Sequence, residues 1–139
     1  MREENLAMKA SRASWACVQS HDKEGWLALM HDDVCIEDPI GKAPTNPAGE
    51  GLRGKAAVAE FYDRNIGPAQ IVIEAHESFA SSSPQEVAHI LSLHTTLPNG
   101  VVSHVRGVFT YRTDEAGLLT NLRGYWNMGV MRFDQPDAS

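Results

Sequence analysis

A chain of 139 residues, 42% of them hydrophobic and 22% charged, has the size of one domain with a core of its own. Its 12 basic against 18 acidic residues leave a net charge of -6, with no Lys/Arg cluster to neutralise a phosphate backbone, which argues against nucleic acid as a partner. The first residues, Met1-Arg2-Glu3-Glu4-Asn5, are charged and no apolar run approaches the ~20 residues of a membrane span, so no membrane association is expected and a cytoplasmic protein is predicted.

The chain opens on a helical pattern over 5–20, which carries Ser14 and Trp15, and a second helix is predicted over 22–31. A short strand over 34–38 follows, stopped by Pro39 and Gly41. The two-residue period puts Val34, Ile36 and Asp38 on one face and Cys35 and Glu37 on the other. If Val34 and Ile36 face an apolar interior, Asp38 faces it too, and burial then raises its pKa toward the range useful for proton transfer. The same residues also read as a solvated Asp-Pro turn that merely closes a strand. A Pro/Gly-rich connection over 42–51 leads to a third helix, 54–66, with Val58, Phe61 and Tyr62 on one stripe.

Longer strands are predicted near 69–79, 86–97, 101–113 and 118–131, separated by turn residues at Ser81 to Pro84, Asn99-Gly100 and Asp114 to Gly117. Helices first and antiparallel strands after give a single α+β domain over 1–139: a cone in which three helices cover one face of a curved, mostly antiparallel sheet and enclose a cavity. Cys17 and Cys35 sit in apolar patterns without metal-ligand spacing and read as free buried thiols.

Glu37-Asp38-Pro39-Ile40-Gly41, then Arg53-Gly54 followed by Ala57-Val58 and Phe61-Tyr62, then Leu122-Arg123-Gly124-Tyr125-Trp126 form an ordered set of motifs. Together they resemble the ketosteroid isomerases of the SnoaL-like, NTF2-like superfamily over nearly the whole chain. The resemblance implies a cofactor-free enzyme acting on a flat apolar carbonyl compound such as a steroid, with Asp38 as the catalytic base. It also implies a homodimer formed through the sheet face away from the cavity. In the family a tyrosine on the first helix and a protonated aspartic acid on the long hairpin stabilise the dienolate oxygen. Here Ser14 stands in the tyrosine's place with Trp15 beside it, and Phe109 stands in the acid's place. Tyr62 matches a tyrosine that in some members hydrogen-bonds the catalytic one, and Trp126 matches a cavity tryptophan.

If Asn99-Gly100 is a two-residue hairpin turn, residue 98 pairs with 101, 94 with 105 and 95 with 104. His94 then shares a face with Val105, Phe109 and Tyr111, which the resemblance turns toward the ligand, and His104 lies on the other face. That separation leaves no histidine pair for a metal; His21, His31, His76 and His89 show no ligand spacing either, and no metal is expected. The expected ligand contacts are Ser14, Trp15, Phe61, Tyr62, His94, Phe109 and Trp126. Two other readings use the same scaffold: a non-catalytic carrier of an apolar ligand, and a dehydratase or hydrolase using Asp38 with His94.

Overall fold

The computed structural model describes residues 5–135. Asn5 starts the first helix, α1 (Leu6–Gln19), by accepting from the Met8 amide. Its buried residues Ala7, Ala10, Ser11, Ser14 and Val18 recur at helical spacing and are small, so the helix lies close against the sheet. Asp22 caps α2 (Lys23–Ala28). This helix ends earlier than predicted because the next residues join the sheet: the Leu119 amide donates to the Leu29 carbonyl, and β1 (Met30–Glu37) begins at once. A two-residue strand, β2 (Leu52–Arg53), precedes α3 (Lys55–Phe61), which continues as a π-helical turn over Tyr62–Ile66.

The remaining strands are β3 (Gln70–Ala80), β4 (Glu86–Thr96), β5 (Val102–Thr113), β6 (Leu119–Tyr125) and β7 (Arg132–Asp134). The order across the sheet is β2-β1-β6-β5-β4-β3, with β7 pairing β5 where β6 no longer reaches it. Among the described residues, only the β1 and β6 pairing is parallel. The predicted cone is therefore present. Leu91, Phe109, Tyr111 and Leu122 of the inner face pack with Ala10 and Val18 of α1 and Val58 and Phe61 of α3 in one core. The last predicted strand is interrupted: the ladder stops at Tyr125, and a 3-10 turn, Met128–Val130, leads into β7.

The long hairpin departs from the expected register by one residue. The Gly100 amide donates to the Leu97 carbonyl at 2.9 Å, the Leu97 amide to the Val101 carbonyl at 2.8 Å, and Gly100 has φ +87°. Pro98 and Asn99 thus form the centre of a turn closed by a left-handed glycine, a three-residue loop in place of a two-residue one. Thr96 pairs with Val102 and His94 with His104. Because side chains alternate, this slip turns all of β4 over relative to the prediction. Leu91, Leu93 and Thr95 join Val105, Phe109 and Tyr111 on the cavity side, and His94 goes outside with His104.

Candidate functional site

A cavity of about 300 Å³ lies between the inner face of the sheet and the helices. That volume is at the lower end for small-molecule sites. Its walls are overwhelmingly apolar, with Trp26, Ile36, Phe61, Ile71, Leu91, Leu93, Val105, Phe109 and Leu122 among them. Met128, Met131 and Phe133, from the exposed C-terminal segment, complete the lining at the mouth. Asp38 is the only carboxylate among the described residues that line it.

The alternation read from the sequence holds through β1. Val34 and Ile36 are buried, Asp38 lines the cavity beyond them, and Glu37 points the other way to accept from Arg123 Nε at 3.0 Å. The backbone after Asp38 is tied down from several sides. Thr45 Oγ1 donates to the Asp38 carbonyl, Asn46 Nδ2 donates to the Pro39 carbonyl at 3.0 Å, and the Ile40 amide donates to the Gly124 carbonyl at 3.0 Å; the Asp38–Pro39 peptide is cis. Asn46, itself buried, also accepts from the Gly51 amide, so one side chain pins both ends of the Pro/Gly-rich connection.

The carboxylate meets a single side chain. Trp126 Nε1 donates to Asp38 Oδ1 at 2.7 Å, and Oδ2 has no hydrogen-bond partner among the described residues. Burial pushes the Asp38 carboxyl above the ordinary carboxylate value, and the indole hydrogen bond offsets part of that rise by favouring the charged form. Gly124 makes room for this pair: a Cβ there would stand 2.9 Å from Asp38 Oδ1, 3.0 Å from Trp126 Nε1 and 3.0 Å from the Phe109 ring.

Of the expected ligand contacts, Ser14, Trp15, Phe61, Phe109 and Trp126 line the cavity. Two do not. Tyr62 lies one residue round the helix from Phe61 and packs on Trp26, with ring centroids 5.8 Å apart, outside the cavity. His94 is on the outer face, where the three-residue turn puts it. There its Nδ1 lies 2.7 Å from Nδ1 of His104, and the outer nitrogens of the two rings contact Glu74 and Asp134 respectively. The register argument that kept the two histidines apart is thus overturned. Among the described residues, no group of three or more His, Cys, Asp or Glu side chains is arranged to hold a metal ion. The roles of two lining residues also change. Trp126 engages its only N–H on Asp38, and Ser14 Oγ accepts from Trp26 Nε1 at 3.0 Å.

The residues missed by sequence reasoning are Leu91, Leu93 and Thr95, hidden by the register slip. Tyr111, which the two-residue period puts on the ligand side with Phe109 but which was not among the expected contacts, lines the cavity as well. It is buried, and its hydroxyl oxygen accepts from Trp15 Nε1 at 3.0 Å.

Residues 11–122 match the SnoaL-like domain family. No curated protein matches the sequence. Among solved structures, the chain is similar to the Delta 5-3-ketosteroid isomerase from Mycobacterium sp., with 62% identity over 94% of this chain and 99% of that one and a TM-score of 0.92. It is also similar to RV0760c from Mycobacterium tuberculosis in complex with estradiol-17beta-hemisuccinate, with 57% identity over 94% and 100% of the two chains and a TM-score of 0.92. A computationally designed 17-OHP binder is 54% identical over 94% of this chain and 100% of its own, with a TM-score of 0.93.

Proposed function

The chain belongs to the SnoaL-like domain family, and we propose that it is a cofactor-free steroid Δ-isomerase-like enzyme in which Asp38 is the general base. One observation carries this reading. A lone carboxylate, raised in pKa by burial and held at one oxygen only, stands on the wall of an apolar cavity. The other oxygen is then available to a carbon acid.

On a 3-keto-Δ5 steroid, Asp38 removes a proton from the carbon between the carbonyl and the double bond. The electrons of that C–H bond become a dienolate, and the carboxylic acid returns the proton to the far end of the diene. No atom is gained or lost, and the product is the conjugated ketone. The apolar walls exclude water from the exchange.

Appearance of the conjugated ketone, followed by its ultraviolet absorption, tests the proposal. Turnover is expected to fall as pH drops through the Asp38 pKa, at a midpoint above that of an ordinary carboxylate, because only the ionised base accepts the proton. A steroid that binds and is not converted at any pH would sink it in favour of the carrier reading. One feature favours that second reading: a serine, Ser14, stands where the family places its tyrosine, and Phe109 has no donor at all where the family places its acid.

A homodimer is proposed with it. Val72, Phe79, Val108 and Tyr125 are 54%, 53%, 40% and 51% exposed and all lie on the outer sheet face, as their register with His94, Ala88 and Ile90 requires. Four large apolar groups on one face of an antiparallel sheet suit a second copy of the same face. Light scattering at micromolar concentration is expected to give twice the 15.2 kDa chain mass, and a monomer would remove the proposal.

A further inference from the structure

We infer that the hydroxyl of Tyr111, oriented by the Trp15 indole, is the hydrogen-bond donor to the ligand's carbonyl oxygen, so that strand β5 supplies the donor that Phe109 lacks. The inference deepens the isomerase reading and rests on it for its catalytic part.

It follows from where each polar hydrogen of the cavity goes. The three indole N–H groups are engaged: Trp126 on Asp38, Trp15 on Tyr111 and Trp26 on Ser14. Thr45 donates to the Asp38 carbonyl and Asn65 to the Phe61 carbonyl. Ser14 and Tyr111 differ from these. Each oxygen accepts from an indole that has a donor only, so both O–H groups are left without an acceptor among the described residues while both side chains line the cavity. The phenol carries its hydrogen further from the backbone than the short serine does. A buried donor of this kind is costly unless something occupying the cavity accepts from it.

Position agrees with the chemistry. Phe109, whose ring adjoins the Asp38 and Trp126 pair at Gly124, and Tyr111 lie on one face of β5 two residues apart, about 7 Å along the strand. The carbon that loses a proton in an enolisation is two bonds from the carbonyl oxygen, so a ketone held at Tyr111 presents that carbon on the Asp38 side. Thr95 and Ser103 also line the cavity and carry hydroxyls, but Ser103 pairs with Phe133 at the mouth. It is six residues from Phe109, about 20 Å along the strand, too far to serve the oxygen next to the base. The phenol also remains protonated. Burial drives its pKa well above the ordinary tyrosine value, the charge of Asp38 adds to the rise, and the Trp15 hydrogen bond offsets part of it. The same indole hydrogen bond polarises the phenol, which strengthens it as a donor.

The test uses a 3-keto-Δ4 steroid, whose absorption moves to longer wavelength when its carbonyl accepts a strong hydrogen bond, beside the same steroid lacking the 3-oxygen. Tyr111→Phe is expected to abolish the band shift of the bound ketone and to reduce the preference for the ketone over the deoxy steroid by about tenfold. Turnover of the 3-keto-Δ5 steroid should fall about 10²- to 10³-fold. Trp15→Phe, which leaves the hydroxyl and removes the group that orients it, should shrink the same shift, and it decides the matter if Tyr111→Phe does not fold. An unchanged band and an unchanged preference overturn the inference. Asp38→Asn separates the two readings. Turnover lost there with the band unmoved in Tyr111→Phe leaves the base and removes the donor. The reverse pattern leaves a ketone-binding donor and removes the base.

Discussion

Asp38→Asn is expected to lower steroid turnover by about 10²- to 10⁴-fold while leaving ligand affinity equal or improved. Asparagine keeps an oxygen to accept the Trp126 N–H now held at 2.7 Å, so the indole stays satisfied and the wall keeps its shape. What is lost is the capacity to take a proton. The same change should raise stability at neutral pH. The folded state holds the Asp38 pKa above its unfolded value, so the associated stability is fully present below the unfolded value and is lost as pH rises through the folded one. The asparagine variant has no such loss, and its thermal midpoint should therefore exceed that of the parent increasingly across that window, with little difference in acid. Unchanged turnover, affinity and melting would mean that Asp38 only closes a turn.

His89→Leu is expected to remove an acid-labile element of the fold. His89 is fully buried under α1, edge-on to Trp15 at 4.7 Å and to Tyr111 at 5.4 Å; Nδ1 meets Ser78 Oγ at 2.7 Å, and Nε2 has no hydrogen-bond partner among the described residues. Burial, assisted by the charge of Arg12, lowers its pKa from 6.5 to about 4. For a histidine depressed in this way, stability is complete above the unfolded value and falls as pH drops from there toward the folded one. The interval corresponds to about 3 kcal/mol. The parent should therefore lose roughly that much more than His89→Leu between pH 6.5 and 4, read as the difference between their urea midpoints along the pH axis. Parallel curves would show that His89 does not titrate on unfolding. Leucine also removes the orphaned ring nitrogen, so the variant should be no less stable at neutral pH.

The placement of Asp38 on the cavity wall was legible in the sequence because it depends on two local facts, the period of a strand and the Pro39 stop, and neither needs a distant partner. Helix α1 was equally legible from the spacing of its small buried residues. His94 was misplaced for a reason also present in the sequence. Pro98 fixes its own φ and has no N–H to return to residue 101, which favours a turn centred on Pro98 and Asn99 over one centred on Asn99 and Gly100. A one-residue error there moved a whole strand face. The engagement of Trp126 with Asp38, and of Trp15 with Tyr111, lay beyond periodicity. Each joins residues 88 or 96 apart, and only the closed cone brings them together.

If the cavity holds a ligand as proposed, the C-terminal strand is the element expected to set how fast that ligand comes and goes. β7 is held to β5 by three register pairs and by the His104 contact with Asp134, while Phe133, 48% exposed, reaches the cavity lining. Peeling those three residues opens the mouth without disturbing any other ladder or lifting a helix from the sheet. Residence time of a bound ligand is then expected to follow this local opening and not global unfolding. Substitutions deep in the core that change the unfolding rate should leave the dissociation rate alone, whereas a single change at Asp134 should quicken it without altering what the cavity recognises.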